Sequence, residues 1–466
     1  MRSSTLPTRR AHVPRPISVC LDVPDAARPR AAYALEELLH GLGLAPAWTD
    51  ADAAMLYVGT RPEASRTEAL RLRLDPASVL ELRRADPHTL GWLVHGDRRW
   101  PLPVGPAGVH APGDRPGAAV EADVVGAAFW WLAGVQEAAT VARDVHGRFA
   151  HDDSLQAHLA VRDQPAVDGI RRWLGDALAA RGVGVQTPTW AGRDWAVGLT
   201  FDLDGVATRR VPAALADLSR GHVGRALRRG LGPDARWQSV LSLRDLARRH
   251  GVAPTVFWKA GAGAREDVPY RLERRRVRHL LHAWAQEGAE TGLHPSYHAH
   301  DHAERLGQER DRLADVAGRV PTSVRTHFLR WDAGRTPHVL AAAGFALDSS
   351  LGFATAVGFR RGTARPFRLY DLDTDRVLPL REVPLAVMDT SLYSHLGLNA
   401  PAAIARAWDA LKAAQSVGGC AVLLWHDDVG HTVPSHVRLD GLDQILRRAR
   451  ADGAFIGSLE RLGRPR

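Results

Sequence analysis

From Trp195 to the C-terminus the chain alternates between two hydrophobic patterns. Short strand-like runs occur at Val197–Phe201, Pro254–Trp258, Ala289–Leu293, Ser323–Thr326, Ala346–Asp348, Val383–Val387 and Ala421–Trp425. Between them, apolar residues recur at helical spacing, which predicts helices over Val240–His250, Glu273–Glu287, Asp301–Val316, Pro337–Ala343, Ala402–Ser416 and Leu442–Asp452. A succession of β-α units of this kind predicts an α/β fold whose parallel sheet is closed, or nearly closed, into a barrel.

The N-terminal part follows a different rhythm. Ile17–Val23 and Ala54–Val58 read as strands on either side of a helix over Ala31–Leu44, with Ala32, Leu35, Leu38 and Leu39 on one face. Residues 61–123 are rich in proline, glycine and aspartate, with a strand signal near Leu90–His95. Ala127–Val135 then reads as a helix or buried segment. A helix over Pro165–Arg181 turns Ile170, Trp173, Leu174 and Leu178 to one side, and a Gly/Pro/Thr stretch, Gly182–Ala191, follows. The expected organisation is a disordered basic arm over residues 1–15, a smaller α/β domain over 16–185 and a (β/α) barrel domain over 186–466.

Composition narrows the function classes. Hydrophobic residues make up 45% of the 466 and charged residues 24%, as in folded soluble chains. No stretch approaches the ~20 apolar residues of a membrane span. Cys20 and Cys420 sit in apolar strand-like runs and imply buried thiols rather than a disulfide framework. The net charge of +9 comes from arginines spread along the chain without interleaved aromatics, so no nucleic-acid partner is expected. No apolar stretch follows the first arginines, which argues against a secretory signal and for the cytoplasm.

The candidate chemistry lies at strand ends, where α/β sheets build their sites. The first barrel strand runs into Thr200-Phe201-Asp202-Leu203-Asp204-Gly205. Two aspartates two positions apart share a side of an extended strand, and Gly205 eases a turn after them. The strand Ala289–Leu293 ends in His294-Pro295-Ser296-Tyr297-His298. Proline at a first helical position would start a helix at His294, and residues four apart share a helix face. His294 and His298 are therefore expected to face one ion. His298 and His302 form a second such pair, and His300 and His302 are expected to face water. With Asp204, the first pair makes a two-His, one-carboxylate site suited to a hydrolytic metal, and Asp202 is free to serve as general base. Arg325 could orient Asp202, with Arg330 as the competitor. His426, ending the strand Ala421–Trp425, is a candidate general acid.

In their order along the chain these motifs resemble those of the polysaccharide deacetylases of the NodB-homology type, carbohydrate esterase family four. Thr200-Phe201-Asp202-Leu203-Asp204 is similar to the family's first motif in a divergent Asp-x-Asp form. His294–His298 is similar to its His-x-x-x-His metal pair, Arg325 to the arginine of the third motif, and Leu423-Leu424-Trp425-His426 to the last. After Arg325 the usual residues are replaced by Thr326 and His327. The fourth motif is not clear, although Val387-Met388-Asp389-Thr390 lies near its place. The resemblance spans roughly Trp195–Leu462 and implies a deformed (β/α) barrel of the NodB type. The extra α/β domain before it fits divergent bacterial members.

The implied activity is metal-dependent hydrolysis of carbon–nitrogen bonds, foremost N-deacetylation of an amino sugar in a polysaccharide or glycan precursor. Asp202 would be the base, His426 the acid and Arg325 the partner of Asp202. Asp204, His294 and His298 would hold zinc, or cobalt or manganese. The partner would be a carbohydrate. Hydrolysis of a small linear or cyclic amide, or non-catalytic glycan binding on the same fold, are the alternatives.

Overall fold

The computed structural model describes residues 13–466 apart from 63–64, 66–67, 111–118, 162, 207–214, 216, 225–226, 228–233, 269 and 428–432. Most of the expected basic arm, residues 1–12, lies outside the described residues.

The N-terminal part is built on a parallel sheet of β1 (Arg15–Asp22), β2 (Leu44–Trp48), β3 (Leu56–Gly59) and β4 (Leu70–Arg73), in the order β2-β1-β3-β4. The sequence reading missed β2 and β4. Both are short edge strands, and Pro46 in β2, which cannot donate to a ladder, hides its strand signal. A second sheet joins β5 (Gly91–His95), β6 (Arg98–Leu102) and β7 (Gly108–His110). Helices over Arg28–His40, Val124–Leu132 and Ala166–Ala179 carry much of the apolar surface. Val124–Leu132 is buried along its whole length.

The C-terminal part holds the barrel. Its strands are β8 (Ala196–Leu203), β9 (Thr255–Lys259), β10 (Glu290–His294), β11 (Ser323–Val324), β12 (Leu347–Asp348), β13 (Phe367–Asp371), β14 (Arg376–Glu382), β15 (Leu385–Met388), β16 (Cys420–His426) and β17 (Phe455–Gly457). Along the sheet they run β13-β14-β12-β11-β10-β9-β8-β16-β15, with β17 also on β8. All described pairings are parallel except that of β13 with β14. β14 and β15, consecutive in the chain, form one extended stretch that serves both sides of the sheet. Arg381 and Glu382 pair with β12, and the Val383 amide donates to the Asp348 carbonyl. Beyond it the Pro384 carbonyl accepts from Val422, and Leu385–Met388 pair with β16. Handing one stretch from β12 to β16 curls the sheet into a deformed barrel. β8 is buried at every position, as a continuous apolar run inside such a barrel must be.

The two parts expected to divide near residue 185 share one hydrophobic core. Tyr33 and Phe129 pack on Tyr370 at ring separations of 4.7 and 5.5 Å. Glu137 is buried and binds Arg360 through Nε at 2.9 Å and Nη2 at 2.7 Å, with Arg361 beside it. Asp168 accepts from the Ala364 amide at 2.6 Å. No helix among the described residues is long and apolar enough to cross a membrane.

Candidate active site

Parallel strands in register end together, so their last residues meet. Asp202 pairs with His426 across β8 and β16, Leu203 with Trp258 across β8 and β9, and His294 with Lys259 across β10 and β9. Arg325 follows β11 directly, and Asp389 follows β15. These termini surround a cavity of about 300 Å³ whose lining includes Asp202, Asp204, His294, His327 and His426.

Asp204 Oδ1 lies 3.2 Å from Nε2 of His294 and 3.2 Å from Nε2 of His327. The three groups fit a divalent cation. Ligand atoms held at about 2.0–2.2 Å from an ion sit about 3.3–3.6 Å from one another in a tetrahedron. The second nitrogens are already engaged, as ligating imidazoles require. His294 Nδ1 donates to the Arg325 carbonyl at 2.8 Å, and His327 Nδ1 lies 3.1 Å from Asp267 Oδ1. Both contacts leave Nε2 turned toward Asp204. Burial opposes charge on Asp204, but the two imidazoles hold it well below the usual carboxylate range. Burial pulls His327 down, yet Asp204 and Asp267 raise it above its ordinary value. Buried Lys259 places Nζ 3.1 Å from Asp267 Oδ1, which balances that carboxylate.

A carboxylate and an imidazole flank this cluster, each held by buried partners. Arg325 is completely buried, and its Nη1 donates to Asp202 Oδ1 at 3.1 Å and Thr200 Oγ1 at 2.7 Å. Its Nε and Nη2 bind Ser349, so the guanidinium is fixed and Asp202 with it. On the other side His426 Nδ1 contacts Asp389 Oδ1 at 2.6 Å, while Arg438 Nη1 donates to Asp389 Oδ2 at 2.6 Å. Burial pulls the His426 imidazolium down, but the Asp389 carboxylate outweighs it and pushes the pKa up to about 9. The imidazole is therefore protonated at neutral pH.

The structure gathers five of the six residues singled out in the sequence, and the sixth lies elsewhere. His298 is exposed and packs its ring on Tyr297. No helix starts at His294: residues 295–301 form turns, and the helix begins at Ala303. Ser296 is drawn to Glu309 and the Tyr297 amide to Asp267, which carries His298 away. The shared-face argument fails with the helix, and His327 occupies the third position instead. His302 is exposed as expected, but His300 is buried, and burial lowers its pKa to about 4. Of the two arginines, Arg325 reaches Asp202, whereas Arg330 donates to the carbonyls of His146 and Tyr297. Sequence reasoning missed His327, Asp267 and Arg438. The signal for His327 was its place just past a strand end. Asp267 and Arg438 gave none, because their roles come from folding.

The wall of the cavity nearest His327 is unusual. Phe328 and Leu329 both adopt left-handed backbone conformations, at φ 60° and 54°. Such conformations cost roughly 1–3 kcal/mol per non-glycine residue and persist only where surroundings impose them. Arg148, from the N-terminal part, donates to the Phe328 carbonyl at 2.8 Å, and His146 stacks on the Phe328 ring at 4.6 Å. Both line the cavity.

Residues 26–182 match a family of unknown function, DUF7033. No curated protein is similar enough in sequence to match the chain. Among solved structures, one from Mycobacterium smegmatis assigned as a polysaccharide deacetylase is 20% identical, with a TM-score of 0.42 over 58% of this chain and 90% of that one. Another so assigned, from Pseudomonas aeruginosa PAO1, is 15% identical, with a TM-score of 0.40 over 59% and 92%. An allantoinase is 13% identical, with a TM-score of 0.40 over 59% and 91%.

Proposed function

We propose that this chain is a metal-dependent hydrolase of carbon–nitrogen bonds that removes the N-acetyl group of an amino sugar in a glycan or glycan precursor. One observation carries the reading. A two-His, one-Asp cluster stands in a single cavity with a positioned carboxylate, Asp202, and a protonated imidazole, His426. Asp204, His294 and His327 would hold the ion. A divalent ion in that position supplies Lewis-acid polarisation of a carbonyl and acidifies water. Asp202, aligned by Arg325, accepts the proton of the attacking water. His426, held by Asp389, gives a proton to the departing nitrogen, which an amide needs before it can leave. The retention of both a base and an acid stands against a non-catalytic binding protein. The resemblance of the motifs to the NodB-type deacetylases directs the choice of substrate to acetylated amino sugars.

A second reading, hydrolysis of a small linear or cyclic amide, is favoured by the cavity volume, at the lower end of the ~300–1,000 Å³ usual for small-molecule sites. The test is acetate release from N-acetylated sugars and oligosaccharides by protein loaded with zinc, cobalt or manganese, with small amides in parallel. Acetate release from sugars supports the first reading. Turnover confined to small amides moves the assignment to the second, and turnover of neither returns the protein to the binding class.

A further inference from the structure

We propose that the N-terminal part completes the metal centre. Its loop Asp144–Arg148 locks the strained turn that presents His327, with Arg148 as the positioning residue. The inference rests on the metal-centre reading above and extends it to a part of the chain whose family match carries no function.

The loop is a rigid brace. Asp144 Oδ1 accepts from the amides of His146 and Arg148, both at 2.9 Å, and Oδ2 accepts from Arg148 Nε at 2.7 Å. Burial opposes charge on Asp144, but these hydrogen bonds hold it below the usual carboxylate range. Gly147, at φ 75°, makes the reversal. With Nε fixed by Asp144, Arg148 aims Nη1 at the Phe328 carbonyl. A second lock runs the other way: Arg330 Nε donates to the His146 carbonyl at 2.9 Å and its Nη1 to the Tyr297 carbonyl at 2.7 Å. His146 Nδ1 and the Tyr297 hydroxyl, 2.9 Å apart, close the ring of contacts.

The segment so gripped begins at His327, the one member of the cluster not carried directly by a strand end. Asp204 and His294 continue from β8 and β10, which pair with neighbours on both sides, whereas β11 is two residues long. The barrel anchors the start of this turn, with the Thr326 amide on Ser350 Oγ and the His327 ring against Asp267, but immediately after His327 the chain passes through two left-handed residues, and Arg148 donates to the carbonyl of the first of them, Phe328. The loop that carries Arg148, residues 144–148, lies inside the matched stretch 26–182.

The test measures Co2+ affinity of the full-length chain by chelator competition, together with the visible spectrum of the bound ion, which reports its ligand geometry. Arg148→Ala should weaken binding about 10- to 100-fold, the usual effect of losing a group that supports a ligand, and alter the spectrum. Arg148→Lys, which keeps a donor for the Phe328 carbonyl, should recover much of the affinity. Arg368→Ala breaks ion pairs between the two parts far from the loop and should change neither readout. Equal loss in Arg368→Ala would mean that general loosening of the two parts is responsible, and would overturn the proposal. So would wild-type affinity and spectrum in a folded Arg148→Ala. If Arg148→Ala does not fold, the decision passes to Arg148→Met, which keeps the aliphatic stem but no donor for the Phe328 carbonyl, and to Tyr297→Phe, and wild-type metal behaviour in both overturns it. A wild-type chain that binds no Co2+ instead sinks the metal reading itself.

Discussion

Asp389 holds His426 at two points. Its Oδ1 contacts the imidazole Nδ1 at 2.6 Å, and its Oδ2 accepts the backbone amide of the same residue at 3.0 Å. The double contact fixes which nitrogen faces the cavity and keeps a proton on the ring.

On the proposed reading, that relationship sets the alkaline limit of activity. The acid form of His426 is lost as pH rises through about 9, so the rate should fall tenfold per pH unit above it. In Asp389→Asn the burial penalty loses its largest opponent, with only Asp204 and Asp202 left to raise the imidazole, and the alkaline limb should move to lower pH. The folded-state pKa is raised, so the stability that this contact contributes is complete below about pH 6.5 and lost as pH passes through about 9. Rate–pH profiles of wild type and Asp389→Asn check the first claim, and an unchanged alkaline limb would refute it.

Metal content should separate the histidines. His294→Ala and His327→Ala are expected to lose the ion, whereas His298→Ala and His302→Ala, which alter exposed side chains, keep it. Elemental analysis of the four purified variants decides the matter. Loss of metal in His298→Ala with retention in His327→Ala would reverse the ligand set.

The two aspartates should part in the same way. Asp202→Asn is expected to keep its metal and lose about 100- to 10,000-fold in turnover, the usual contribution of a general base. Asp204→Asn should lose affinity for the ion as well. Occupancy and rate measured on the same preparations give the answer, and metal loss in Asp202→Asn alone would exchange the roles.

Stability should depend on the contacts between the two parts. Glu137→Ala leaves the buried Arg360 and Arg361 without their carboxylate, and removing one partner of a buried pair costs about 3–5 kcal/mol. Chemical denaturation of the full chain measures that cost. Residues 186–466 expressed alone would expose those arginines and the Tyr370 ring, and are expected to be insoluble. A soluble, cooperatively folding fragment would contradict this.

The barrel was legible because several of its strands, such as β8, β9 and β16, are largely apolar runs that end in polar residues, as Leu199–Asp204 and Leu423–His426 do. Periodicity could not show the hairpin of β13 and β14, since polar residues interrupt both strands, nor the handover at Val383–Pro384. In the site, residues at strand ends were readable because strand direction alone places them. His298 misled because its spacing suits a helix that tertiary contacts of Ser296 and Tyr297 prevent. Arg148 was invisible for the opposite reason: nothing local ties it to a turn 180 positions away.

The pairing of β8 with β16 also has a consequence for how the chain is made. Thr200 Oγ1 donates to the Leu423 carbonyl, 223 positions later. At about 5–20 residues per second of synthesis, β8 waits roughly 10–45 s for the strand that covers its edge. Through that interval a strand that is buried along its whole length in the folded chain stands open to foreign strands, the situation most prone to aggregation. Contacts of such long range also slow folding itself. Because Asp202 and His426 lie at the ends of these two strands, the proposed base and acid meet only once β16 has docked on β8. On the proposed reading, a chain truncated before β16 is therefore expected to be inactive.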